Sequence, residues 1–276
     1  MAASGDKNCI NFLRQVLPDL NLRWEGYRKV RRQVCRRIRK RIHVLKLESF
    51  EAYRIYLKNH SREREVLDGM MHISISRFFR DTHSWDLLGE ILLPALAQRA
   101  ALENRPLRCW SAGCASGEEP YSLALLWKHK LSEVFSQLPL QIIATDANEL
   151  MLQRAQRACY SRGSLKHMPV NWLNESFLKQ GEEYFLNTSI RNRVSFHRQD
   201  IRKEMPEGQF DLVFCKNLVG MYFEKPLAIE VFAKIVSRMH SGSYLLLGNH
   251  EPFPLEEVPD IVVFNKGLQV YQKKTT

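Results

Sequence analysis

The sequence predicts an α/β fold: a mostly parallel sheet with helices on both faces, finished by an antiparallel hairpin. A small all-helical domain precedes it, and an inserted subdomain interrupts it. Three observations carry this expectation. From residue 107 onward, short apolar runs alternate with helical stretches, the pattern of repeated βα units. Residues 108–122, RCWSAGCASGEEPYS, lead from an apolar run through two glycines into paired glutamates, which reads as buried strand, tight turn and helix start. The first third of the chain lacks strands and follows helical periodicity.

At 276 residues the chain can bury a sizeable core, with one large domain and one small one expected. Hydrophobic content of 45% and charged content of 26% are those of an ordinary globular protein. No apolar run approaches the roughly 20 residues of a membrane span, and residues 1–8 lack the apolar core of a secretory signal. The expected location is therefore the cytoplasm. The six cysteines, Cys9, Cys35, Cys109, Cys114, Cys159 and Cys215, show no metal-ligand spacing. Free thiols and no metal site are expected. A formal charge of +11 calls for an acidic partner.

That charge is concentrated early. Residues 27–42 place Tyr27, Val30, Val34, Ile38 and Ile42 on one helical face, while Arg28, Lys29, Arg31, Arg32, Arg36, Arg37, Arg39, Lys40 and Arg41 occupy the others. Nine like charges on one helix repel one another unless something acidic docks there. Nucleic acid is disfavoured, because no aromatics interleave and no recognised motif follows; an acidic protein helix fits. Ser49 caps a helix running to about Leu57, and a further helix covers 63–71. Residues 72–81, HISISRFFRD, read as an extended linker into a helix over 82–97. The expected division is 1–97 and 98–276.

In the α/β part, strands are expected at 107–112, 141–145, 194–197, 210–215 and 244–248, with helices at 121–131, 148–160 and about 227–239. The runs 261–264 and 268–272 flank Asn265-Lys-Gly267, a hairpin signal. This is the layout of the class I methyltransferases, a Rossmann-like fold. Residues 161–193 are too long for a plain crossover and form the insertion.

The chemistry starts at the glycine turn. Strand, turn and helix N-terminus suggest a shelf of backbone N–H groups, where nucleotide-like ligands sit. Glu118 and Glu119 would repel a pyrophosphate there but suit a cationic ligand such as S-adenosylmethionine. Asp146, closing the second strand, can accept from both ribose hydroxyls. A nicotinamide-type G-x-G-x-x-G is missing from 113–117. Cys114 and Cys215 read as small buried hydrophobes.

The runs FFRD at 78–81, WSAGCASGEEPYS at 110–122, ATD at 144–146 and FCKN at 214–217 with MYF at 221–223 resemble the chemotaxis receptor methyltransferases, the CheR type. The resemblance spans nearly the whole chain. It implies methyl transfer from S-adenosyl-L-methionine to receptor glutamates, leaving S-adenosyl-L-homocysteine. Position by position, it implies that Gly113, Glu118 and Asp146 hold the cofactor, that Ser74 and Ser76 line its pocket, that Asp200 and Ile201 flank the adenine, and that Lys216 and Asn217 complete the pocket. It places Arg80, also counted among the cofactor-binding residues, and Tyr222 near the transferred methyl and makes the helix of residues 28–41 the docking surface for an acidic receptor helix.

This chain departs from the family pattern at Ser74, Asp200, Lys216 and Gly220, and reads Gly248-Asn-His-Glu251 where the family has Gly-His-Ser-Glu. The departures leave two alternatives to a protein-glutamate methyltransferase: an enzyme of this fold acting on a small-molecule carboxylate or thiol, and a regulatory module that binds cofactor without turnover.

Overall fold

The structure is a computed structural model describing residues 2–275, with side chains from Lys7 onward. The chain divides into two compact units, Met1–Ile73 with Val219–Ala228, and Ser74–Leu218 with Ile229–Thr276.

The first unit is helical: α1 (Ala2–Val16), α2 (Arg31–Val44), α3 (Phe50–Asn59) and α4 (Ser61–Met71). Ser49 caps α3 through the Ala52 N–H, as its sequence position predicts. The single helix expected over 27–42 is corrected. Trp24–Tyr27 forms its own short turn, and α2 begins at Arg31. The break lies at residues 28–30, where Val30 leaves the helical region at φ −103° and ψ 2°, and Gly26 lets the first turn approach Met221, whose carbonyl oxygen would lie 2.3 Å from any Cβ. Not all nine cations face outward. Arg37 donates to the carbonyls of Met70 and His72 at 2.9 and 2.6 Å. Arg41 grips buried Glu63 through two bonds of 2.8 and 2.6 Å, and Tyr53 adds a third. Arg28, Lys29, Arg32, Arg36, Arg39 and Lys40 remain exposed.

The cysteine expectation fails at one pair: Cys9 on α1 and Cys35 on α2 are disulfide-bonded. Both are fully buried where the two helices pack, and their separation of 26 positions gives no hint of the pairing. Cys109, Cys114, Cys159 and Cys215 are free.

The second unit starts with a helical run, α5 (Thr82–Leu87) passing through a π-helical turn at Leu88–Leu92 into α6 (Leu93–Leu102). Its strands are β1 (Leu107–Ala112), β2 (Leu140–Asp146), β3 (Cys159–Ser161), β4 (Phe177–Gln180), β5 (Glu183–Leu186), β6 (Val194–Arg198), β7 (Phe210–Cys215), β8 (Met239–Leu247), β9 (Ile261–Asn265) and β10 (Val270–Lys273). Between them lie α7 (Glu118–Leu126), α8 (Glu149–Arg157), α9 (Val170–Ser176) and α10 (Lys225–Ser237), whose residues from Ile229 belong to this unit. The main sheet has the order β6-β2-β1-β7-β8-β10-β9. Its first five strands are parallel and β10 runs antiparallel to both neighbours. The strand order reverses between β1 and β7, the switch point at which open sheets bind ligands beyond their carboxyl ends.

The insertion is an antiparallel sheet, β3-β5-β4. It begins earlier than expected, because α8 stops at Arg157 and Ala158 turns left-handed at φ 51°. The helix expected to reach residue 160 is corrected accordingly. β8 likewise starts five residues before the expected position, with Phe210 paired to Met239.

Candidate active site

The switch point is built by the turn after β1. Gly113 has φ 73° and Gly117 φ 87°, conformations glycine adopts without steric cost. A Cβ on Gly113 would lie 2.7 Å from Leu218 Cδ2, and one on Gly117 2.9 Å from Ala155 Cβ. The expected shelf of open N–H groups is corrected. Gly113 and Cys114 donate to the Thr145 carbonyl at 2.8 and 3.0 Å, Gly117 donates to Cys114, and Ala115 donates to Asp146 Oδ2 at 2.8 Å. These four donors are occupied, so the turn presents its acids and not a phosphate nest.

Glu118 is 3% exposed. Ser116 Oγ lies 3.0 and 2.9 Å from its two carboxylate oxygens, and the Ser76 hydroxyl also bonds it. Burial pushes this carboxyl above its ordinary range; its own backbone N–H, the two hydroxyls and Arg154 only partly oppose that. Ser111 Oγ donates to Glu119 at 2.7 Å. Burial raises Glu119 as well, against Lys216, that hydroxyl and Arg80. A buried carboxylate held by neutral donors gains most from a cation arriving beside it. An α-ammonium or sulfonium group supplies one, which is how these residues fit S-adenosylmethionine.

Asp146 Oδ1 accepts from Asn148 N–H at 2.8 Å. Its other oxygen accepts from the Ala115 N–H at 2.8 Å, so the carboxylate that closes β2 is held at the glycine turn. At the end of β6, Asp200 is turned onto Arg202, with the guanidinium at 2.7 Å from Oδ2 and the backbone N–H at 3.0 Å from Oδ1. Burial alone would raise its pKa, but the Arg202 bonds prevail and lower it. Neighbouring Ile201 is buried. Past β7, Lys216 Nζ pairs with Asp81 at 3.2 Å, and Asn217 is left-handed at φ 56°.

Glu251 was not singled out by sequence. It is 1% exposed and accepts from the N–H groups of Asn217, Leu218 and Gly248. It staples the carboxyl ends of β7 and β8 together. The only trace in the sequence is its place in the departure at 248–251.

The structure thus brings Ser76, Arg80, Gly113, Glu118, Asp146, Lys216 and Asn217 around the β1 turn and the adjacent strand ends. Ser74 is half-buried on the linker. Arg80 is exposed, with Nη1 on the Ile75 carbonyl at 3.1 Å. Tyr222 belongs to the helical unit, its ring 5.0 Å from that of Tyr27. Cys114 and Cys215 are buried, and burial pushes the Cys114 thiol well up, in keeping with their reading as apolar fillers.

Comparison with known proteins decides the family. Residues 74–266 match the model described as CheR methyltransferase, SAM binding domain. The chain belongs to the CheR methyltransferase family. Among curated relatives of this CheR protein, a chemotaxis protein methyltransferase of Listeria innocua serovar 6a is 28% identical over 89% of this chain and 90% of its own length. Chemotaxis protein methyltransferase 2 of Vibrio cholerae serotype O1 is 30% identical over 87% and 84% respectively. The crystal structure of monomeric WbdD is similar at a TM-score of 0.41 and 14% identity, over 74% of this chain and 46% of that one; so loose a likeness carries no weight. This CheR protein is an S-adenosylmethionine-dependent methyltransferase, and no helix among its described residues is long and apolar enough to cross a membrane.

Proposed function

We propose that this CheR methyltransferase esterifies glutamate side chains of an acidic helical protein, a chemoreceptor, in the cytoplasm. The observation that carries the reading is the match, along about nine-tenths of both chains, to a protein named as a chemotaxis methyltransferase. The exposed face of Arg28, Lys29, Arg32, Arg36, Arg39 and Lys40 supports it, since an acidic helix would neutralise charges that otherwise repel.

The bound cofactor supplies an electrophilic methyl on a sulfonium. A glutamate acceptor is ionised at neutral pH, so the chain's task is orientation and exclusion of water, without a general base. Glu118, steadied by Ser76 and Ser116, holds the cationic amino-acid end. Asp146 holds the ribose, Ile201 packs against the adenine beside Asp200, and Ser74, Gly113, Lys216 and Asn217 line the remainder. Arg80 exchanges the Ile75 carbonyl for the acceptor carboxylate, a stronger charge-assisted partner. Tyr222 steers the acceptor's approach.

The test is methyl transfer to a purified chemoreceptor cytoplasmic fragment by Arg80→Ala and Tyr222→Phe, with S-adenosylhomocysteine affinity measured in parallel. Transfer falling about 100-fold in Arg80→Ala at unchanged affinity supports the role. Full activity in both variants contradicts it.

A further inference from the structure

Asp81 stands at the start of α5, where an aspartate ordinarily caps the helix, yet its side chain makes no capping bond. Its backbone is left-handed, φ 61°, an uncommon conformation outside glycine. The carboxylate is directed elsewhere. Oδ2 lies 3.2 Å from Lys216 Nζ at the end of β7, and Oδ1 accepts from Asn249 Nδ2 at 3.0 Å just past β8. The Lys216 side chain is only 7% exposed, so the pair is shielded from the screening that weakens surface pairs.

One carboxylate therefore joins the linker to the ends of two strands at the switch point. Arg80 immediately precedes it, and the Arg80 carbonyl is itself held by the Trp85 indole N–H at 2.9 Å. These bonds fix the backbone that follows the Arg80 side chain, the Phe79 N–H donating to Ser122 Oγ at 3.0 Å fixes the residue before it, and the Arg80 guanidinium is exposed on the Ile75 carbonyl. A side chain that must reorient onto a substrate needs a fixed root and a mobile tip.

We infer that Asp81 is a positioning residue for methyl transfer, anchoring the Arg80 segment to β7 and β8 through Lys216 and Asn249. Lys216 has a double duty: the same ammonium faces Glu119 and favours its ionised form. Removing Asp81 releases Lys216 toward Glu119 and frees the Arg80 root. The inference rests on the proposed role of Arg80, while the anchor itself is measurable without turnover.

The experiment compares full-length wild type with Asp81→Ala, Asp81→Asn, Lys216→Met and Arg80→Ala, all with S-adenosylhomocysteine bound. Three readouts are taken: amide exchange over 74–85, cofactor affinity by calorimetry, and kcat and KM on the receptor fragment. In Asp81→Ala we expect exchange over 74–85 to rise about tenfold and kcat to fall about tenfold, at near-constant affinity; Lys216→Met, at a residue that lines the cofactor pocket, should raise exchange over 74–85 equally while also weakening S-adenosylhomocysteine. Asp81→Asn, which keeps the Asn249 contact, should fall between. Unchanged exchange in Asp81→Ala overturns the anchor, and so does a loss confined to affinity or melting temperature. If the wild type fails to methylate the fragment, the receptor reading fails while the exchange result still decides the anchor. If Arg80→Ala alone is fully active, the anchor has no catalytic purpose and the inference is overturned.

Discussion

Asp146 Oδ2 accepts the Ala115 N–H at 2.8 Å, tying the end of β2 to the glycine turn after β1. The residue proposed for the ribose is thus also a structural latch on the turn that presents Glu118. Asp146→Asn can keep an acceptor for Ala115 but loses the charge. We predict S-adenosylhomocysteine affinity at least about tenfold weaker, in line with roughly 1.5–3 kcal/mol for a bond to a charged group. Asp146→Ala should weaken it further and loosen the turn. Calorimetry on both variants checks this.

Glu118 gives a pH signature. Burial raises its folded-state pKa above the unfolded value, so the unliganded protein binds more protons folded than unfolded. Its contribution to stability is present at low pH and is lost as pH rises from the ordinary glutamate range through the raised value. A cationic ligand prefers the ionised carboxylate, so affinity rises with pH across that window and binding there releases a proton. Calorimetry in buffers of different ionisation enthalpy measures the release; Glu118→Gln should abolish it and weaken binding.

Glu63 behaves oppositely. Its bonds to Arg41 hold its pKa low against the effect of burial, with Tyr53 assisting. The folded value lies below the unfolded one, so its stabilisation is present above the unfolded carboxylate pKa and is lost as pH falls through the folded value. Arg41→Ala leaves this carboxylate buried without its cation, at a cost of about 3 kcal/mol. Arg36→Ala, on the exposed face, should change stability by less than about 0.5 kcal/mol. Denaturant melts of the two variants separate the inward arginines from the outward ones.

Much of the sheet was legible because its central strands are continuous apolar runs. β1 and β7 lie where the sequence puts them, since every position of β7 is buried. The start of β8 is hidden because Met239-His-Ser-Gly-Ser243 has the composition of a turn, although Phe210 pairs with Met239. β3 is not legible in the sequence because the end of α8 depends on Ala158 adopting φ 51°, which an alanine does not advertise. At the site, Glu118 and Asp146 follow from motif spacing. Glu251 and Asp81 act by folding back on distant backbone and side chains, and their partners are not local.

The Cys9–Cys35 bond closes a loop of about 26 residues, for which chain entropy gives roughly 3 kcal/mol. Reduction should therefore lower the melting temperature of the helical unit. Thiol titration of the denatured, unreduced protein should find the four free cysteines, and six after reduction. Six before reduction would remove the bond from the account.

The most direct measurement follows labelled methyl from S-adenosylmethionine onto a purified chemoreceptor cytoplasmic fragment. The account predicts label in the protein fraction, released by mild alkali as expected of a glutamyl ester and lost when the acceptor glutamates become alanine. Label confined to small molecules, or protein label that survives alkali, would contradict it.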